Sequence, residues 1–404
     1  MQHRSFHRIS RLPPYVFAEV NRLKAEGRAR GEDVIDFGMG NPDMPPPQEV
    51  IEKMCETAKR PDVHGYSSSR GIPGLRKAVV DYYMRRFGVP LDPNKEAIVT
   101  IGSKEGLASL ATAIAEPGDV FLVPDPGYPI HMYGFIIEGA SVYSVKNVPY
   151  ETVLAQNIKE ALEQCSPKPV AIVLNFPNNP TSETVSLEFY REMVEICTHY
   201  GVYIISDLAY SEIYFDPSDP PPSILQVEGA KDVAIEFNSV SKTFSMAGWR
   251  IGFAVGCPHL VESLAKIKSY IDYGTFTPLQ VAATTALNGP ESWAEERRAL
   301  YKSRRDVLID GFNRAGWEIE PPRASMFAWA KIPYGIEGDD SLAFSKKLLT
   351  EASVAVAPGV GFGKHGEGYV RIGLVENEQR IRQACRNIKK FLDPYKARYD
   401  GAAA

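Results

Sequence analysis

The chain has 404 residues, 44% of them hydrophobic and 24% charged, with a formal net charge of −5. That length allows two or more domains with substantial cores, and that composition excludes a disordered chain. No basic block is present, which excludes nucleic acid as the main partner, and no apolar run reaches the about 18 residues a membrane span needs.

The first residues, Met-Gln-His-Arg-Ser-Phe-His-Arg, lack an apolar core, so no signal peptide and a cytoplasmic location are expected. Five cysteines, at 55, 165, 197, 257 and 385, form no C-x-x-C pair, which reads as inert thiols in a reducing compartment with no metal site. After the prolines at 13 and 14, Val16, Val20 and Leu23 recur at helical spacing, predicting an N-terminal helix. A short strand over 34–37 then meets Gly38-Met-Gly-Asn-Pro-Asp43, and the prolines beyond it mark a crossing between two domains.

Between about 95 and 256, short apolar runs alternate with longer amphipathic stretches, the pattern of parallel strands joined by crossover helices. The runs are 97–100, 120–123, 141–145, 170–174, 202–205, 233–237 and 251–255. They predict an α/β fold with a seven-stranded, mainly parallel sheet, whose ligands bind beyond the carboxyl ends of the strands. From about 292 a charged helix over 293–312 leads to strands near 326–332 and 369–374 and a last helix over 378–392. The economical assembly is a large domain, 46–291, and a smaller α/β domain built from both termini, 1–45 and 292–404.

Polar clusters follow four of the predicted strands. After 97–100, Gly102-Ser103-Lys104 opens an Ala-rich helix, either an anion site made of backbone amides and a hydroxyl or merely a helix cap. After 170–174, the Asn-Pro breaks leave Asn178 and Asn179 free to face a ligand, or form an ordinary Asx turn. After 202–205, Asp207 and Tyr210 suit a protonated ring nitrogen and a ring hydroxyl, while Asp207 is equally a helix N-cap. After 233–237, Lys242 sits among serines, with Arg250 eight residues on; the amine and its neighbours suit a phosphate-bearing aldehyde, and the alternative is a solvated lysine. A Walker A loop does not occur, and no G-x-G-x-x-G follows any of the predicted strands.

Taken together with Gly40-Asn-Pro-Asp43, Tyr66-Ser-Ser-Ser-Arg-Gly-Ile-Pro-Gly-Leu-Arg76, Pro126-Gly-Tyr-Pro129, Asn178-Asn-Pro-Thr181, Ser241-Lys-Thr243 and Tyr369-Val-Arg-Ile-Gly373, these clusters carry a resemblance. From about residue 9 to 392, the sequence resembles the fold-type I, class I/II pyridoxal-phosphate-dependent aminotransferases. The resemblance implies pyridoxal 5'-phosphate as cofactor, with Lys242 its covalent anchor and proton shuttle. It also implies that Asp207 keeps the pyridine nitrogen protonated, that Tyr210 and Asn179 hold the phenolic oxygen, and that Tyr128 stacks on the ring. Ser103, Lys104, Ser239, Ser241 and Arg250 are implied for the phosphate, joined by Tyr66 from a neighbouring subunit, so that the working unit is a homodimer with shared sites. For the substrate, Arg371 is implied as the α-carboxylate clamp, assisted by Gly40 and Asn179, with Tyr15 on an arm over the site.

Ser182 stands where many relatives have glycine, which concerns loop geometry. The segment 270–278 contains no arginine, whereas aspartate aminotransferases place one near here, so a strict aspartate enzyme is less favoured. The sequence looks most like the bacterial glutamate–pyruvate (alanine) branch, whose relatives include LL-diaminopimelate and methionine aminotransferases. The substrates so implied are amino acids and 2-oxo acids, with alanine and 2-oxoglutarate first. A β-lyase on the same fold and a non-catalytic regulator are the alternatives of other kinds.

Overall fold

A computed structural model of the chain describes residues 6–147, 151–338 and 340–402. Its strands are β1 (Ile35–Asp36), β2 (Ala97–Thr100), β3 (Val120–Asp125), β4 (Ser141–Lys146), β5 (Ala171–Asn175), β6 (Tyr203–Asp207), β7 (Ala234–Ser239), β8 (Gly252–Gly256), β9 (Phe327–Lys331), β10 (Val354–Ala355), β11 (Ala357–Pro358) and β12 (Tyr369–Gly373).

Seven strands form one sheet in the order β2-β8-β7-β6-β5-β3-β4. All its pairings are parallel except those of β8, which runs against both β2 and β7. Two reversals cancel, so β2 points the same way as β7. Six strands therefore end at one edge of the sheet, and β8 begins there.

Successive residues of a strand face opposite sides, and both sides of this sheet are covered. Ile172, Leu174 and Ile204 enter one core with Leu75, Tyr83, Phe189 and Tyr190, whereas Val173 and Ile205 enter the other with Leu107, Leu110, Phe135 and Leu264. Burial on both faces explains why these strands read as unbroken apolar runs. One exception is Glu236 on β7: fully buried, it accepts hydrogen bonds from Tyr83 (2.9 Å), Ser206 (2.9 Å) and Ser223 (2.6 Å), while burial raises its pKa.

A third core gathers Phe37, Tyr301, Phe312, Trp317, Phe344 and Ile388. It lies against an antiparallel sheet, β11-β12-β9. Near it, β1 pairs with β10, Ile35 opposite Val354, so the early chain is tied to the late chain. The helices Val16–Ala29, Ser292–Arg314 and Glu378–Ala402 complete this part. No helix among the described residues is long and apolar enough to cross a membrane.

Candidate functional site

At the edge where the six strands end lies a cavity of about 350 Å³. Its lining brings together Tyr15, Gly40, Ser103, Lys104, Tyr128, Asn179, Asp207, Tyr210, Ser239, Ser241, Lys242, Arg250 and Arg371. Most of these residues, though far apart in sequence, converge because they follow, end or precede a strand at that edge; Arg371 lies on β12, Gly40 follows β1, and Tyr15 precedes the helix Val16–Ala29.

Lys242 sits on the helical turn Val240–Thr243 directly after β7. Its Nζ donates to the carbonyl of Gly40 at 2.6 Å. Burial, helped by the nearby Arg371 and Arg250 charges, lowers its pKa to about 8. A cation costs more in a dry, positive site, so the neutral amine gains population.

Asp207 closes β6 and is buried, with Oδ2 2.9 Å from His131 Nε2. The chain then makes turns, and no helix starts there, so Asp207 is not an N-cap. His131 belongs to the helix Pro129–Glu138, and the ring of Tyr128, just before that helix, meets its ring edge-on at 5.7 Å. Beneath, Asn175 Nδ2 donates to the carbonyl of Asp207 at 2.7 Å and fixes the strand ends to each other.

Asn179 Nδ2 donates to the Tyr210 hydroxyl at 3.3 Å, and its Oδ1 accepts from Arg371 Nη1 at 2.7 Å. Asn178 does not join them: its side chain folds back on its own loop, accepting from Thr181 N and Oγ1 at 3.0 Å each. Arg371 Nη2 donates to Gly38 O at 3.2 Å, and its guanidinium lies 4.1 Å from the ring of Phe327 and 4.7 Å from that of Phe362. Burial lowers its pKa to about 10, which leaves it cationic at neutral pH. Its Nε is buried without a partner, a donor that an anion would satisfy. Burial also raises the pKa of Tyr210 and Tyr128, so both hydroxyls stay protonated.

A second cradle, with hydroxyls and a guanidinium suited to an anion, lies where the helix Ser103–Ile114 begins beside the start of β8. Ser239 Oγ donates to Ile251 O at 2.9 Å and lies 2.8 Å from Ser241 Oγ, while Ser103 Oγ reaches Asn238 O at 3.0 Å. Arg250, with φ at +56°, folds over Gly102, whose own φ is +80°. A Cβ on Gly102 would lie 2.3 Å from Arg250 Nη2, and one on Gly252 would lie 2.6 Å from Ser103 N, so glycine is needed at both.

Two placements differ from the rest. Tyr66 is 89% exposed, its ring centroid 4.6 Å from that of Tyr273 and tilted to it, outside the cavity of its own chain. Tyr15 is 67% exposed at the cavity mouth, its ring 5.3 Å from Phe17. The sequence reading missed His131, Asn175, Phe327 and Phe362; a lone histidine on a helix gives no pattern, though its place three residues after Tyr128 was a usable signal.

The family model described as aminotransferase class I and II matches residues 32–388. A Rhizobium meliloti protein called aminotransferase AatC is 56% identical, covering 96% of this chain and 95% of its own. Glutamate-pyruvate aminotransferase AlaC of Escherichia coli is 53% identical over 96% of this chain and 93% of its own. Among solved structures, substrate-bound BacF of Bacillus subtilis superposes with a TM-score of 0.89 at 32% identity, covering 96% of this chain and 98% of that one. With the family model spanning most of the sequence and the geometry in agreement, the chain belongs to the class I and II aminotransferases, enzymes that act on amino acids and 2-oxo acids.

Proposed function

We propose that this aminotransferase uses pyridoxal 5'-phosphate to move an amino group between alanine and 2-oxoglutarate, by a ping-pong route. The observation that carries the reading is the convergence of Lys242, Asp207 and Arg371 on one cavity that also holds a separate anion cradle. The residues fit the cofactor: glycines leave room at the cradle, hydroxyls and Arg250 suit a phosphate, and Lys242 is a partly neutral amine. When bound, the cofactor supplies an aldehyde that captures amines and a ring that withdraws electrons from the substrate Cα.

The chain's own residues do the rest. Arg371 holds the substrate carboxylate with its planar fork, while Asn179 Oδ1 and Gly38 O fix the guanidinium in place. Lys242 Nζ, released from Gly40 O, would be the group that takes and holds the proton of the substrate Cα. Asp207, oriented by His131, holds a proton on the pyridine nitrogen. Tyr210 and Asn179 would hold the phenolic oxygen, Tyr128 would cover the ring, and Ser103, Lys104, Ser239, Ser241 and Arg250 would hold the phosphate. Gly40 and Tyr15 border the substrate, and Phe17 and Phe362 exclude water near Arg371.

The reading also makes the working unit a homodimer. Tyr66, Tyr270, Ile271, Tyr273 and Phe276 are exposed together with no role in their own cavity, a face suited to a second copy whose site takes Tyr66. It divides the chain into a cofactor domain, 46–291, and a small domain from 1–45 and 292–404, a division supported by the β1–β10 pairing.

Alanine is favoured by the kinship with glutamate-pyruvate aminotransferase AlaC and by the aromatic wall around Arg371. The test is a half-reaction screen of the purified protein with alanine, aspartate, methionine and LL-diaminopimelate. Alanine is expected to discharge the visible cofactor band fastest. Faster turnover of another amino acid overturns alanine, and no response to any overturns the transaminase reading.

A further inference from the structure

Beside the anion cradle lies a buried charge that the mechanism leaves unused. Lys268, near the end of the helix Pro258–Ile271, has no exposed surface. Its Nζ lies 3.1 and 3.3 Å from the two oxygens of Glu105 and 2.7 Å from Asp272 Oδ2. Glu105 in turn accepts from the backbone N–H of Ile101 at 2.7 Å and from the Ser109 hydroxyl at 2.6 Å. The Ile101 carbonyl faces Arg250 Nη2 at 3.5 Å, and the next residue is Gly102, on which Arg250 packs. On the other side, Asp272 Oδ1 accepts from Gly274 N at 2.7 Å, closing the loop that carries Tyr273 against Tyr66.

One buried cation thus stands between two carboxylates, within a turn of the residues proposed to hold a phosphate. Two carboxylates and one ammonium leave a single negative charge there. Without Lys268 there would be two, on partly buried carboxylates close to an anion site, where charges are screened less than in bulk water. Removal would also free the Glu105 carboxylate that holds the Ile101 peptide under Arg250.

We infer that Lys268 is a positioning residue for the phosphate end of the cofactor site, a buried countercharge that keeps Glu105 and Asp272 from repelling the phosphate and locks the cradle turn. This rests on the cofactor reading above. It concerns the phosphate alone and predicts no effect on the ring.

The experiment measures equilibrium binding of pyridoxal 5'-phosphate and of pyridoxal, which lacks the phosphate, to cofactor-free protein. Lys268→Met is expected to weaken the phosphate-bearing ligand by about tenfold or more relative to pyridoxal, the scale of one charge acting through protein. Asp272→Asn keeps Lys268 paired with Glu105 and removes one negative charge. It is expected to tighten pyridoxal 5'-phosphate by about threefold with pyridoxal unchanged, a fraction of that same effect. Equal losses for both ligands in Lys268→Met, or no gain in Asp272→Asn, overturn the inference. Wild-type protein that binds neither ligand overturns the cofactor reading instead.

Discussion

Lys242 Nζ and the Gly40 carbonyl, 2.6 Å apart, tie the reactive amine to the same glycine-containing loop whose Gly38 carbonyl steadies Arg371. Only the neutral amine can attack an aldehyde, and burial has brought its pKa from the ordinary lysine range to about 8. Above pH 8 capture of the cofactor by cofactor-free protein should be fast and nearly constant. Below it the rate should fall by about tenfold per pH unit as the ammonium fills. Arg371→Met removes a cation that favours the neutral form, so the acid limb should move to higher pH. Stopped-flow absorbance from about pH 6 to about pH 9, about two units below the Lys242 pKa and about one above it, reads both effects.

Arg371→Lys keeps the charge but loses the fork. The two bonds that fix the guanidinium, to Asn179 and Gly38, cannot both be made by an ammonium while it grips a carboxylate. The loss of one charge-assisted bond, about 1.5–3 kcal/mol, should lower kcat/KM for the amino acid by about 10- to 150-fold. Cofactor absorbance should be retained. An unchanged kcat/KM would sink the clamp assignment.

His131→Leu removes the partner of the Asp207 carboxylate and leaves it buried with fewer bonds. One hydrogen bond of about 1.5 kcal/mol corresponds to roughly a tenfold fall in kcat. Cofactor should still bind, because the phosphate groups are untouched. Steady-state rates beside a cofactor titration separate these outcomes.

Gly102→Ala places a methyl where Arg250 lies and asks alanine to adopt φ of +80°. The backbone cost is about 1–3 kcal/mol, visible in urea unfolding. Displacement of Arg250 should also weaken pyridoxal 5'-phosphate more than pyridoxal. Equal affinity for both in the variant would remove Arg250 from the cradle.

The sheet was legible because six of its seven strands are buried on both faces and so read as apolar runs, while β4 at the edge is largely exposed. What the runs concealed was where the ladder stops. The run 202–205 ends before Asp207, yet β6 continues through it, with Asp207 opposite Asn175 of β5. The same holds for Ser239 on β7. Polar side chains at those positions are held by backbone pairing, which composition does not reveal. Lys242 and Asp207 were found from the polar clusters that follow their strands and from the resemblance those clusters carry together. Lys268 was not, since a buried lysine differs from a solvated one only in its surroundings, and its spacing to Asp272 suits either. His131 escaped for the same reason: its meaning comes from Asp207, which is distant in sequence.

The pairing of Ile35 with Val354 has a consequence for synthesis. A ribosome completes the seven-stranded sheet, with Lys242 in place, long before it makes β10 and β12. Until then the segment 35–43 has no strand to join and Arg371 does not exist, so the proposed substrate clamp is the last part of the site to be completed. Long-range closure of this kind is slow to form. The proposed clamp forms only when the two ends of the chain meet.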